Sequence, residues 1–144
     1  MMRPSIDETM LEIAMTLAKR ATCQIRQVGC VLTDDKNFIL STGYNGQAMG
    51  MPHCTHLFPC DAFRDKSKSC LAIHAELNAI MRCPDINYIR NAYITDMPCL
   101  KCALALANTS CVRIVYLGEM GTITKHPLEV INGYTITTPI GTLA

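Results

Sequence analysis

The run ITDMPCLKCALALAN, Ile94 to Asn108, limits what this chain can fold into more than any other stretch. Ala92–Thr95 reads as a short strand, and Cys99–Asn108 reads as a helix with Pro98 at its entrance, where proline is favoured. A strand that hands over to a helix within a few residues belongs to a layered architecture. The same step recurs on either side. His74–Arg82 reads as a helix that stops before Pro84, and Val112–Leu117 as a β-branched strand. An αβαβ order with short connections places helices on a sheet in a layered α/β domain.

The N-terminal part adds a helix and a hairpin. Ser5 with Glu8 three residues later is a capping box, and Met10, Ile13, Ala14, Leu17 and Ala18 follow at helical spacing, predicting a helix over Ile6–Arg20. Val28–Thr33 and Phe38–Tyr44 read as strands joined by the polar turn Asp34-Asp35-Lys36-Asn37. A long loop then runs from Gly43, Gly46 and Gly50 through HCTHLFPC to Cys70. Loops of that length in a small domain are usually functional or metal-pinned. In the Thr- and Ile-rich tail, a short helix is expected near Pro127–Ile131 and a strand near Tyr134–Thr138.

Length and charge narrow the classes. The chain has 144 residues, enough for one domain over residues 1–144, and is 49% hydrophobic and 17% charged. A net charge of +1 gives no bulk argument for nucleic acid or an anionic membrane as partner. MMRPSIDET lacks an apolar signal core and no stretch nears ~18 apolar residues, so a cytoplasmic protein is expected. In that compartment nine cysteines, an odd number, point to metal binding or packing and not to a disulfide framework.

His74, Cys99 and Cys102 form the ligand set. One imidazole and two thiolates suit tetrahedral zinc, and a helix start favours thiolate over thiol. Three protein ligands leave a fourth position for water, the pattern of catalytic zinc. A water of that kind needs a proton shuttle, and Glu76 is the candidate. Its spacing of two from His74 is odd, because side chains two apart within a helix point to nearly opposite faces.

HAE followed by PCLKC resembles the zinc-dependent nucleobase deaminases, which share an H-x-E…P-C-x-x-C signature. TCQIRQVGCVL, STGYNG and the following PHC narrow the likeness to the deoxycytidylate deaminases, over about Ser5 to Tyr116. The resemblance implies a three-layer α/β/α cytidine-deaminase-like fold with a mixed central sheet and an N-terminal β-hairpin. It implies hydrolytic attack on C4 of the cytosine of dCMP, with Glu76 taking the proton of the water, delivering it to N3 and helping ammonia leave. The product is dUMP, the precursor of thymidylate. Asn45 would bond the deoxyribose 3′-hydroxyl and Arg26 would contact phosphate. A homohexamer is implied, activated by dCTP and inhibited by dTTP beside the GYNG loop, where Gly43 and Gly46 would let backbone approach a nucleotide. Mg2+ would accompany such an effector.

Two departures fall at the phosphate end. Met120 stands where relatives commonly carry a second tyrosine four residues after the one matched by Tyr116, and Arg26-Gln27 stands where many have two arginines. Turnover of dCTP as well as dCMP is therefore left open. Other readings also stand beside these. Asn45 can be a turn former and Arg26 a solvated surface cation. Cys23, Cys54, His56, Cys60 and Cys70, with His53, can hold a second, structural zinc or be free thiols and loop histidines. Cys30, Cys83 and Cys111 read as packing residues. The same zinc chemistry would serve cytidine, deoxycytidine, guanine or a tRNA adenosine. A non-catalytic oligomeric module that senses dNTPs is the rival from another class.

Overall fold

The computed structural model of the chain describes residues 2–54, 71–118 and the strand backbone of 123–127. Five strands form one mixed sheet in the order β2-β1-β3-β4-β5, with β1 at Gly29–Thr33, β2 at Ile39–Tyr44, β3 at Asn91–Ile94, β4 at Arg113–Leu117 and β5 at Ile123–Pro127. Among the described residues only the β3–β4 pair is parallel; β1–β2, β1–β3 and β4–β5 are antiparallel. Helix α1 is Ile6–Ala18, α2 is Ala75–Arg82 and α3 is Leu100–Ala107, with a 3-10 turn at Ile86–Tyr88.

Period-two alternation in the strands builds the two faces of the sheet. Val31, Tyr93 and Val115 turn toward α1 and pack with Met10, Leu11 and Ala14. Cys30, Leu32, Ala92, Ile94 and Ile114 turn to the opposite face, against Ala75 and Ala79 of α2 and Ala103 and Leu106 of α3. The result is the expected α/β/α layering. On the α1 side, Arg113 donates to Asp7 at 2.6 Å and Tyr93 donates to Asp7 at 3.1 Å, which ties the first helical turn to β3 and β4. Cys30 and Cys111 are core residues as expected, and burial pushes the Cys111 thiol up to about 11.

The local signals acted as read at the first helix. Ser5 Oγ accepts from the Glu8 N–H at 3.1 Å, and the Glu8 carboxylate accepts from the Ser5 N–H at 2.9 Å. The hairpin turn is locked by Asp34, whose Oδ1 accepts from Lys36 and Phe38, each at 2.9 Å, while Asn37 takes φ 68°.

The helix expected over Cys99–Asn108 turns one side to the core: Cys102, Ala103 and Leu106 are buried, whereas Leu104 is 43% exposed. Pro127, expected to begin a helix, ends β5 opposite Arg113 at the sheet margin, where the missing N–H is tolerated. The strand expected at Tyr134–Thr138 lies outside the described residues, as do the residues after Pro127 in the expected helix.

A Cβ at Gly43 would stand 2.4 Å from the Ala75 carbonyl oxygen and 2.6 Å from the Ala79 nitrogen. The space beside its Cα is filled by α2, so the missing side chain admits the helix. Gly→Ala in a strand is ordinarily favourable by roughly 0.5–1 kcal/mol. Here backbone overlap reverses the sign. Gly43→Ala is expected to destabilise the chain by about 1–3 kcal/mol, read as a lowered denaturation midpoint with unchanged m value.

Candidate active site

Helices α2 and α3 both begin on the same side of the sheet, and each begins with a chemistry-bearing residue. His74 is the N-cap of α2 (φ −67°, ψ 150°) and Cys99 the N-cap of α3 (φ −69°, ψ 163°); neither side chain makes a capping hydrogen bond. Both are therefore free to turn inward. His74 Nδ1 lies 3.3 Å from Cys102 Sγ and 3.6 Å from Cys99 Sγ. Their ligand atoms all fall within 4.8 Å of one another, which makes this the one such group of three among the described residues.

The odd spacing of HAE is resolved by the caps. His74 lies outside the helix in extended conformation, so the opposite-faces rule for residues two apart does not apply to it. Glu76 is the second helical residue and is 4% exposed. Its carboxylate sits beside Cys102, where burial first, then the Glu76 charge and Cys99, push the thiol far above its usual range. A soft divalent cation among these donors is what would let both thiols ionise, and the helix starts, with positive ends aimed at one point, favour the same outcome. The donor set fits zinc.

Two hydrogen bonds hold α2 in place. Ser41 Oγ donates to the Ala79 carbonyl at 2.7 Å, and Asn78 Nδ2 donates to the Tyr44 carbonyl at 2.8 Å. Asn78, which had no evident use in the sequence, thus pins the helix to β2. Just ahead of His74, Ile73 exchanges two backbone hydrogen bonds with Gly46, at 2.7 and 3.2 Å, which fixes where the helix can start. A Cβ at Gly46 would stand 2.6 Å from Thr22 Oγ1, so its freedom also serves packing within the chain.

A cavity of about 230 Å³ opens beside this centre. Its lining includes His74, Glu76, Cys99, Asn45, Arg26 and Asp96. Three of the four residues expected at the metal and proton-transfer centre line it, together with both expected substrate contacts, and Cys102 lies against His74 behind them. Asn45 is buried and already occupied in part: Oδ1 accepts from the Val28 N–H at 2.7 Å, and Nδ2 donates to the Arg26 carbonyl at 2.9 Å. It shapes the cavity wall as well as lining it. Arg26 is exposed and paired with Asp96.

Asp96 is the cavity residue that the sequence reading passed over. The signal was present, since Asp96 lies two residues past the end of β3 and three before Cys99, and open α/β sheets gather ligands beyond strand ends. Of the residues considered for a second metal, Cys23 and Cys54 are buried, and Gln24 Nε2 donates to the Cys54 carbonyl at 3.2 Å. His53 is exposed, and His56, Cys60 and Cys70 lie outside the described residues.

The family model for the cytidine and deoxycytidylate deaminase zinc-binding region matches residues 4–118. A deoxycytidylate deaminase of Schizosaccharomyces pombe is 35% identical over 124 residues, covering 79% of this chain and 37% of the relative. One from Saccharomyces cerevisiae is 32% identical, covering 81% and 38%. The chain thus spans little more than a third of those two relatives. The deoxycytidylate deaminase of Mycobacterium phage D29 is 32% identical over 128 residues, covering 83% of this chain and 99% of the phage protein. Among solved structures, the dCMP deaminase of cyanophage S-TIM5, in complex with dCMP and dUMP, superposes with a TM-score of 0.64 at 22% identity, over 81% of this chain and 83% of that one. With its zinc-type donor set built on two helix caps and its motifs inside the matched span, the chain belongs to the cytidine and deoxycytidylate deaminase family.

Proposed function

We propose that the chain catalyses hydrolytic deamination of dCMP to dUMP with release of ammonia. The observation that carries this is the buried Glu76 carboxylate beside the His74–Cys99–Cys102 cluster, at the floor of a cavity with Arg26 at its rim. His74, Cys99 and Cys102 would hold zinc, which supplies the Lewis acidity that brings a water's pKa to about 7. Glu76 accepts that water's proton as its oxygen bonds to C4 of the ring. The carboxylic acid then protonates N3, and the remaining proton of the attacking water passes from the new C4 hydroxyl through Glu76 to the amino group as the C4–N bond breaks and the C4 carbonyl forms. Water is consumed, ammonia leaves, and Glu76 ends as it began.

Asn45 keeps a second lone pair and a second N–H beyond its two wall contacts, enough to meet the sugar 3′-hydroxyl. Arg26 would take the phosphate, for which its planar fork is suited. Control by dCTP and dTTP with Mg2+, a homohexameric assembly and a role in supplying thymidylate extend this reading through the family resemblance, activity on dCTP through the altered phosphate end, and a cytoplasmic setting is proposed with them. No helix among the described residues is long and apolar enough to cross a membrane.

Turnover of dCMP, dCTP, deoxycytidine and a tRNA anticodon stem-loop, followed by ammonia release, tests the proposal. The expected order places dCMP first. Turnover of deoxycytidine without either nucleotide would overturn the substrate assignment.

A further inference from the structure

Arg26 and Asp96 meet across the mouth of the cavity. Arg26 lies on the α1–β1 connection and Asp96 on the β3–α3 connection, so the pair joins two walls that are far apart in sequence. Nε and Nη2 of Arg26 approach the same oxygen, Asp96 Oδ2, at 2.6 and 2.5 Å. The other oxygen, Oδ1, accepts from the Met97 N–H at 2.9 Å, so the carboxylate is held in place. The side chains are 61% and 42% exposed, and ion pairs at that exposure add little to stability. Fold stability therefore does not account for the arrangement.

The charges around the cavity suggest a use. Among the described lining residues, Arg26 is the one fixed cation, whereas Asp96 and Glu76 are both carboxylates. Arg26 is matched by Asp96 before any ligand enters. Its third nitrogen, Nη1, faces no carboxylate among the described residues and remains for a phosphate. A longer phosphate chain brings more negative charge beside Asp96 and finds no second cation among the described lining residues.

We infer that Asp96 is a specificity-determining residue that limits how much phosphate charge the cavity admits, by sharing Arg26 with the substrate and repelling charge beyond one phosphate. This rests on the nucleotide reading proposed above. It acts through binding, so its effect lies in KM and not in kcat.

Asp96→Asn keeps the shape of the side chain and removes its charge. The test compares kcat/KM for dCTP, dCMP and deoxycytidine in parent and variant, at low and high salt, with zinc content and melting temperature recorded. Where dCTP turns over too slowly, its inhibition constant against dCMP replaces it. The variant is expected to raise the dCTP-to-dCMP preference by about three- to tenfold at low salt, the scale of one unit charge acting across a water-exposed mouth. The dCMP-to-deoxycytidine preference rises in the same direction. Both gains should shrink as the screening length falls from about 10 Å at 0.1 M salt to about 3 Å at 1 M. Unchanged preferences in a variant that keeps its zinc and melting temperature overturn the inference. Lowered preferences also overturn it, because they mean that Asp96 only steadies Arg26. A parent that ignores both nucleotides rejects the substrate reading, and this inference with it. A parent active on dCMP whose preference is unmoved by Asp96→Asn rejects the inference alone.

Discussion

Glu76→Gln is expected to lower kcat for dCMP by about 10²–10⁴-fold, the range for loss of a general acid–base group. Zinc content should stay at the parent's level. The substitution is nearly isosteric, and the side chain is buried in a formed pocket, so the helix start has no reason to move. A carboxamide can accept a hydrogen bond from water but cannot take its proton. Steady-state kinetics with metal analysis on one sample reads both halves. A variant with parental zinc and a kcat within about fivefold of the parent, well short of the loss expected for a general base, would remove Glu76 from proton transfer.

His74→Ala separates metal from protons. The side chain is exposed and makes no capping hydrogen bond, so its removal costs the fold little apart from the ion. One of the three proposed ligands disappears, and zinc binding is expected to fall below stoichiometric retention, with dCMP turnover falling to background. An ion that binds the folded chain more tightly than the unfolded chain also stabilises it. The parent should therefore melt above the variant when zinc-loaded, and the two should converge in excess chelator. A His74→Ala chain that retains parental zinc would move the ligand assignment to another residue.

What could be read in advance follows how local each signal is. The capping box at Ser5, the turn at Asp34 and the two helix starts depend on residues within four positions of each other, and all formed where expected. HAE and PCLKC were legible as a pair because each carries its ligands at a fixed offset from a helix start. Asn78 was opaque because its partner, the Tyr44 carbonyl, is 34 residues away. The packing role of Gly43 was opaque for a similar reason: what crowds it is the backbone of a helix that begins more than thirty residues later. Asp96 gained meaning only when Arg26 came to face it across a separation of 70 residues. The edge strand Ile123–Pro127 escaped notice because ITKHP ends in proline and has no clear apolar alternation.

The placement of His74 and Cys99 at helix caps bears on how such a site tolerates change along the chain. Their positions are measured from the helix starts, with Glu76 two residues past one cap and Cys102 three residues past the other. Each residue inserted between cap and partner would rotate the partner by about 100° around the helix axis, carrying it off the cavity. Residues inserted in the connections before the caps leave both offsets intact. The centre can thus keep its geometry while the intervening chain drifts in length, provided β3 still delivers α3 to the same end of the sheet.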